Sequence, residues 1–449
     1  AVKAVDGHDH AKISAAMRWG TQQQKPVMIA CKTAVSRRAG DKEGDKHGHG
    51  YNLMDDEIKA ARQHMDWMAA PFTLPENISK AWLAAGRKGT KVRKAWEAAA
   101  KANSKGAELS ALMSGELPAN AFEALDAHIA DALATKPADA TRSCSGKALA
   151  ALTPTIQSMI GGSADLTGSV NTLVKGMEPF DTPDYAGRYV HYGVREFGMA
   201  AAMNGMALHG GVIPYAGTFF VFSDYSRPAI RLGALMGAKV VHVMTHDSIG
   251  VGEDGPTHQP VEHLASYRAM PGLHLFRPAD MVEAAESWKA ALEARGPSIL
   301  VLSRQKVPAV RTSENSKGRG NLTAKGAYEL SPASTDAKVT IFASGTEVSI
   351  AIAAQKELEA QGIATRVVST PSWDLFDAQD AAYKASVIGK SPVKIAVEAA
   401  ISMGWERFIG MDGHFVGMTG FGASAPADRL FKEFGITADA VVATAKAAL

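Results

Sequence analysis

The run THDSIGVGEDGPTHQP, residues 245–260, gathers His246, Asp254 and His258 among glycines and prolines. Imidazoles carry protons or bind oxyanions near neutral pH, so the run can serve as a phosphate cradle, a substrate pocket or a metal clasp. The plain alternative is a loop whose histidines only satisfy backbone groups. A zinc site has little support, because no Cys-x-x-Cys or HExxH accompanies this loosely spaced set. HYGVREFGMAAAMNG presents Glu196 just before a small-residue helix, although Arg195 and Glu196 can equally form a surface ion pair. GTFFVFSDYSR sets Phe219, Phe222 and Tyr225 three apart, on one face if helical, which suits a core stripe as well as a cofactor pocket. MIGGSADLTGS brings Asp165 and Ser169 onto a loop whose hydroxyl and amide groups can hold a phosphate. Arg142 and Arg304 stand beside predicted element ends, as solvated charges or as bidentate phosphate grips. His47 and His49 lie in GDKHGHGYNLMDDEI, as readily a turn as a site, and FASGTEVSIA lacks the glycine spacing and lysine of a P-loop.

These side chains must be positioned by α/β elements. GAKVVHVM reads as a buried strand, so the histidine-rich run begins where a strand ends, the place where open α/β sheets bind ligands. Residues 1–70 pair the helix candidate DGHDHAKISAAMRW with the strand PVMIACKT, as in the tail of an α/β domain. Residues 71–140 are rich in Ala, Lys and Glu with an apolar face at helical spacing, a helical connector. A second α/β region covers 141–312, TSENSKGRGN reads as a linker, and a third α/β region covers 325–449 from the strand AKVTIFASG through ATRVVS and VKIAVEAA. The predicted fold is α/β and multidomain, with mainly parallel sheets flanked by helices. A length of 449 residues allows several cores, and a net charge of +2 with mixed signs gives no basis for a nucleic-acid partner. Cys31 and Cys144 alone make no disulfide scaffold, which fits a reducing cytoplasm. No apolar run reaches the roughly 18 residues of a membrane span, so no membrane partner is expected.

Taken together, GGSADLTGS, HYGVREFGMAAAMNG, TFFVFSDYSR, THDSIGVGEDGPTHQP and LSRQ resemble the transketolase family, in its order and spacing. The likeness extends through VDGHD, CKT and HGYNLMDDEI before them, and through ASGTEVSIA and GMTGFGASAPADRLFKEFGIT after them. It implies a thiamine diphosphate enzyme that moves a two-carbon glycolaldehyde unit from a ketose phosphate to an aldose phosphate, in the pentose phosphate pathway or Calvin cycle. It also implies a cytoplasmic homodimer with sites between subunits. The domains implied are the end of a diphosphate-binding domain (1–70), the connector, a pyrimidine-binding domain (141–312) and the family's C-terminal domain (325–449). By the resemblance Glu196 contacts the aminopyrimidine ring nitrogen, Phe219, Phe222 and Tyr225 line its pocket, and Asp165 supports the site of the neighbouring subunit. His49 and His258 face the reacting oxygens, His49 also touching the cofactor. Asp254 reads a substrate hydroxyl, and Arg142, Ser169, His246 and Arg304 anchor the sugar phosphate. Related readings are a deoxyxylulose phosphate synthase, a dihydroxyacetone synthase, or a catalytically incomplete fragment that only binds other chains.

The sequence departs from the family in places. The stretch after CKT reads AVSRRAGDKEGDKHGHG, with Arg37, Arg38 and Asp45 at positions usually small or neutral, which weakens the transfer to His49. Val170 replaces a usual asparagine after Ser169. The family's Gly-Asp-Gly metal motif is absent from these 449 residues. Ligands for Mg2+ or Ca2+ are therefore expected upstream of VDGHD, in a preceding segment or a separate N-terminal fragment. No metal ligand is assigned within the chain, and the chain alone is expected to be incomplete as a catalyst.

Overall fold

The computed structural model describes residues 1–49, 54–316 and 319–449, so part of HGYNLMDDEI and two residues of TSENSKGRGN lie outside the described residues. The chain divides into two compact units, Ala1–Asn103 and Ser104–Leu449.

In the first unit β1 (Val2–Asp6) and β2 (Met28–Lys32) form a parallel pair, with Val2 opposite Met28. The His10–Gly20 helix joins them, and Asp9 caps it by accepting from the amides of Ala11 and Lys12, so two of the amide groups that a helix start leaves unpaired are satisfied. Helices follow at Asp55–His64, Glu76–Arg87 and Thr90–Ala102. The last two bury none of their residues and expose Trp82 and Trp96.

Among the described residues the second unit holds two large sheets and one two-stranded ribbon. Short strands β3 (Asp139–Ala140) and β10 (Lys306–Val307) pair antiparallel and close the first sheet's domain on itself. That sheet contains β4 (Met159–Ser163), β5 (Tyr189–His191), β6 (Ile213–Phe219), β7 (Val241–Thr245), β8 (His274–Phe276) and β9 (Ser298–Leu302), all parallel, in the order β5-β4-β6-β7-β9-β8. β6, β7 and β9 are buried on both faces, as a parallel sheet covered by helices requires. Between the sheet and its helices, Trp288 buries its ring and donates from Nε1 to Ser145 Oγ at 2.8 Å, so the indole is packed without an orphaned donor. The second sheet contains β11 (Tyr328–Ser331), β12 (Val339–Ala343), β13 (Thr365–Ser369), β14 (Val393–Glu398) and β15 (His414–Gly417) in the order β11-β13-β12-β14-β15, with only β11 antiparallel. Its core reaches into the first sheet's domain, because Ile249, Val261, Ala279 and Val310 belong to the same apolar cluster as Ile341, Val367 and Ile395.

Several sequence readings change here. Phe219, Phe222 and Tyr225 do not share one helix: Phe219 ends β6, Phe222 sits in a 3-10 turn, and Tyr225 lies in the first turn of the Ser223–Met236 helix. A period of three cannot register a strand that turns directly into a helix. Ser169 lies in the one-turn helix Thr167–Val170 rather than in a loop, and Glu196 is the first residue of the Glu196–His209 helix. The linker reading gives way partly to a helical turn at Ser313–Ser316.

Candidate functional site

In the six-stranded sheet the chain passes from β4 out to the edge strand β5 and returns beside β4 as β6, a reversal that opens a crevice at the carboxyl ends of the strands. Asp165 follows β4, Phe219 ends β6, His246 follows β7, and Arg304 follows β9, so adjacent strands deliver all of these to one edge.

The arginines meet because of a clasp between segments far apart in sequence. Thr141 donates from its backbone amide to Ser303 Oγ at 3.0 Å, and Ser303 returns its own amide to Thr141 Oγ1 at 2.7 Å. Both residues are buried, and each stands next to an arginine, Arg142 and Arg304. Arg142 then reaches Ser169, donating from Nη1 to its carbonyl at 2.9 Å, while its Nε is buried with no partner among the described residues. Burial, followed by the charge of Arg304, lowers the Arg142 pKa.

His246 adopts a left-handed backbone, φ 63°, a strained conformation for a residue with a side chain. Its ring stacks on Phe219 with centroids 3.6 Å apart, and Nδ1 lies 2.8 Å from Thr245 Oγ1. Burial, and then Arg142, Arg304 and His258, press its pKa down to about 3, so the imidazole is neutral near pH 7 and all four groups share one electrostatic neighbourhood. Phe222 stacks on Phe219 at 5.6 Å and 7°, while His258 stands edge-on to both, at 6.4 Å from Phe219 and 5.3 Å from Phe222. Tyr225 continues the row, 6.3 Å from Phe222 and well exposed. With Phe219 covered by His246, the accessible aromatic surface is that of Phe222 and Tyr225.

Glu196 is only 8% exposed, and among the described residues its carboxyl has no hydrogen bond or ion pair. The surface-ion-pair reading is overturned, since Arg195 Nη1 donates instead to the Tyr192 carbonyl at 2.7 Å. The helix that Glu196 opens packs on β6 and on the Ser223–Met236 helix, the elements carrying Phe219 and Tyr225. This close approach needs small residues: a Cβ on Gly233 would stand 2.6 Å from Asn204 Oδ1, and Asn204 Nδ2 donates to the Ala229 carbonyl at 2.8 Å.

Asp254 is exposed on the same loop as His258. Asp165 is exposed with φ 63°. His49 belongs to the first unit, exposed after a 3-10 turn, and the nearby His47 pairs through Nδ1 with Asp45 Oδ1 at 2.8 Å. The zinc reading finds no geometry. Among the described residues the group close enough to share an ion is Asp224, Glu262 and His263, which includes none of His246, Asp254 and His258. The turn in FASGTEVSIA is not a phosphate loop either: a Cβ on Gly345, whose φ is +58°, would meet the Arg277 guanidinium at 2.8 Å, so the turn is filled by an arginine. Sequence reasoning missed Thr141, Ser303, Asp247, Gln259 and Arg277. Arg277 carried no signal, whereas Asp247, Gln259, Thr141 and Ser303 each adjoin a residue singled out in the sequence, His246, His258, Arg142 and Arg304.

Three family models match the chain: the transketolase thiamine diphosphate binding domain over 1–118, the transketolase pyrimidine binding domain over 138–310, and the transketolase-like C-terminal domain over 326–437. The chain is 49% identical over 449 residues to a transketolase of Sinorhizobium medicae, covering 99% of this chain and 64% of that protein. It is 48% identical to a transketolase of Cereibacter sphaeroides, covering 99% of this chain and 67% of that one. Among solved structures, a Pichia stipitis transketolase in complex with sedoheptulose-7-phosphate superposes with a TM-score of 0.87 at 35% identity, covering 100% of this chain and 66% of that one. The chain thus spans about two thirds of the length of these relatives.

Proposed function

Because the chain belongs to the transketolase family, we propose that its site serves the reversible transfer of a two-carbon glycolaldehyde unit from a ketose phosphate to an aldose phosphate. The observation that carries this reading is the convergence of Arg142, Arg304, His246 and His258 at the carboxyl edge of the sheet, beside an aromatic row. The chain matches a thiamine diphosphate binding domain, and its own residues fit the aminopyrimidine end of that cofactor. Glu196, 8% exposed as a residue and with no partner for its carboxyl among the described residues, is suited to hold a proton on a ring nitrogen, and Phe222 and Tyr225 offer flat apolar surface. When bound, the cofactor supplies a nucleophilic carbon and an electron sink for breaking the bond beside a ketose carbonyl.

The chain's residues then do the positioning. Arg142, Ser169, His246 and Arg304 hold the phosphate, which fixes the far end of the sugar so that its carbonyl stays in place. His258 and His49 donate toward the reacting oxygens, where aimed donors stabilise developing charge, and Asp254 accepts from a substrate hydroxyl. Neutral His246 can donate to a phosphate oxygen without adding a charge that would repel the neighbouring arginines.

On this reading residues 1–70 end a diphosphate-binding domain, 71–140 form a connector, 141–312 a pyrimidine-binding domain and 325–449 the C-terminal domain. The chain works as a cytoplasmic homodimer in which Asp165 and His49 complete sites between subunits. Exposed apolar side chains on adjacent helices, Phe197, Leu208, Tyr225, Leu232 and Leu235, support such a face. We assign no ligand of the accompanying Mg2+ or Ca2+ to a residue of this chain.

The deciding experiment is Glu196→Gln in the cofactor-loaded protein. Loss of a positioned acid–base group is expected to slow two-carbon transfer by roughly 100-fold or more and to suppress deuterium exchange at the cofactor's thiazolium carbon, with unfolding temperature little changed. Near-normal exchange would remove Glu196 from this role.

A further inference from the structure

Arg277, just after β8, is wholly buried and gathers acids from both large sheets of the second unit. Its Nε and Nη2 donate to Asp247 Oδ2 at 3.1 and 2.8 Å. Its Nη1 donates to the Ser344 carbonyl at 3.0 Å and to Glu347 Oε2, and lies 3.5 Å from Glu398 Oε1. Glu398 is held in turn by Arg268, through two contacts of 2.8 Å, and by Trp405 Nε1 at 2.9 Å. The partners divide by origin. Asp247 directly follows His246, whereas Ser344, Glu347 and Glu398 stand at the ends of β12 and β14 and at the start of the Glu347–Ala360 helix.

A second tie grips the other limb of the same loop. Gln259 Nε2 donates to the carbonyls of Gly252 and Ala423, at 2.8 and 2.9 Å, and Ser424 Oγ donates to the Glu253 carbonyl at 2.6 Å. Residues 246–259 are therefore tied to the five-stranded sheet's domain at both ends. The left-handed backbone of His246 is a conformation that persists only where its surroundings over-determine it, and a guanidinium fixing the next residue by two N–H groups is such a restraint.

We propose that Arg277 is a positioning residue for the substrate's phosphate: by gripping Asp247 while anchored on Ser344 and Glu347, it holds the turn that presents His246, so that the C-terminal sheet braces the substrate loop. The inference rests on reading Arg142, Arg304 and His246 as phosphate anchors.

The test compares R277K, D247N and E347Q in the assembled, cofactor-loaded protein, using a phosphorylated ketose donor and its unphosphorylated counterpart. A shift of the anchor by a fraction of an ångström is expected to raise KM for the phosphorylated donor on the order of 10-fold in R277K and about 3-fold in E347Q. The kcat for that donor and both constants for the unphosphorylated donor should change about 2-fold or less. Equal losses on the two donors would mean a merely structural role and would overturn the proposal. Should R277K fail to fold, D247N and E347Q, which keep the buried shapes, decide by the same ratio. A wild-type protein with no preference for the phosphorylated donor would instead sink the phosphate reading itself, and that outcome needs no variant to be seen.

Discussion

His246 shows how one side chain can be set by its neighbours. Its folded pKa of about 3 lies below the ordinary 6.5, with burial the largest cause and the two arginines next. The unfolded chain therefore binds more protons between these values, so this group's stabilising contribution is complete above pH 6.5 and is lost as pH falls toward 3. NMR titration of the imidazole is expected to find it unprotonated at about pH 5, and inorganic phosphate, by offsetting the arginines' charge, should raise the midpoint. A ring that titrates near its ordinary value in the free protein would contradict this setting. The arginines themselves are tested by R142M and R304M. A charge-assisted hydrogen bond contributes about 1.5–3 kcal/mol, so each variant should raise KM for a phosphorylated sugar by roughly 10-fold to 100-fold. The unphosphorylated sugar should be affected far less, and equal losses would count against phosphate contact.

Elements were the most legible level. The runs around VVHVM, SILVL and VTIFA are β strands because apolar, β-branched residues bounded by turn residues fit a sheet buried on both faces. Asp9 marked the start of its helix as a capping residue should. The site was legible where chemistry is local, in the histidine-rich run after β7, and illegible where it depends on distance. Nothing in LSRQ or ATRSC shows that Ser303 and Thr141 clasp across 162 residues, and nothing in FRPAD shows that Arg277 reaches the acid beside His246. The strand-to-helix switch at Phe219 was hidden because aromatic residues suit both kinds of element. One prediction belongs here. Leu235 is 74% exposed on the Ser223–Met236 helix, and L235E should drive the proposed dimer toward monomer in sedimentation velocity. An unchanged sedimentation coefficient would place the subunit contact on another face.

At the scale of the whole molecule the two units are built differently. Among the described residues the buried apolar side chains of Ala1–Asn103 are Ala16, Ala39 and Ala61, all small, whereas Ser104–Leu449 contains several large apolar clusters. Burying little apolar area leaves little to offset the entropy of ordering a chain. In the chain by itself, amide hydrogen exchange is expected to be orders of magnitude faster in β1 and β2 than in β6 and β7, and brief proteolysis should leave residues 104–449 as the resistant core. Equal protection in the two units would refute that difference. Within the resistant unit, the buried cluster of Arg277, Arg268, Asp247, Glu347 and Glu398 answers to temperature in its own way. Stripping water from charges becomes less costly on heating, while the apolar contacts that carry Ile249 and Val261 into the neighbouring core weaken on cooling. On cooling, therefore, this seam loses relative strength on both counts, while conformational entropy still makes heat the stress that unfolds the chain as a whole.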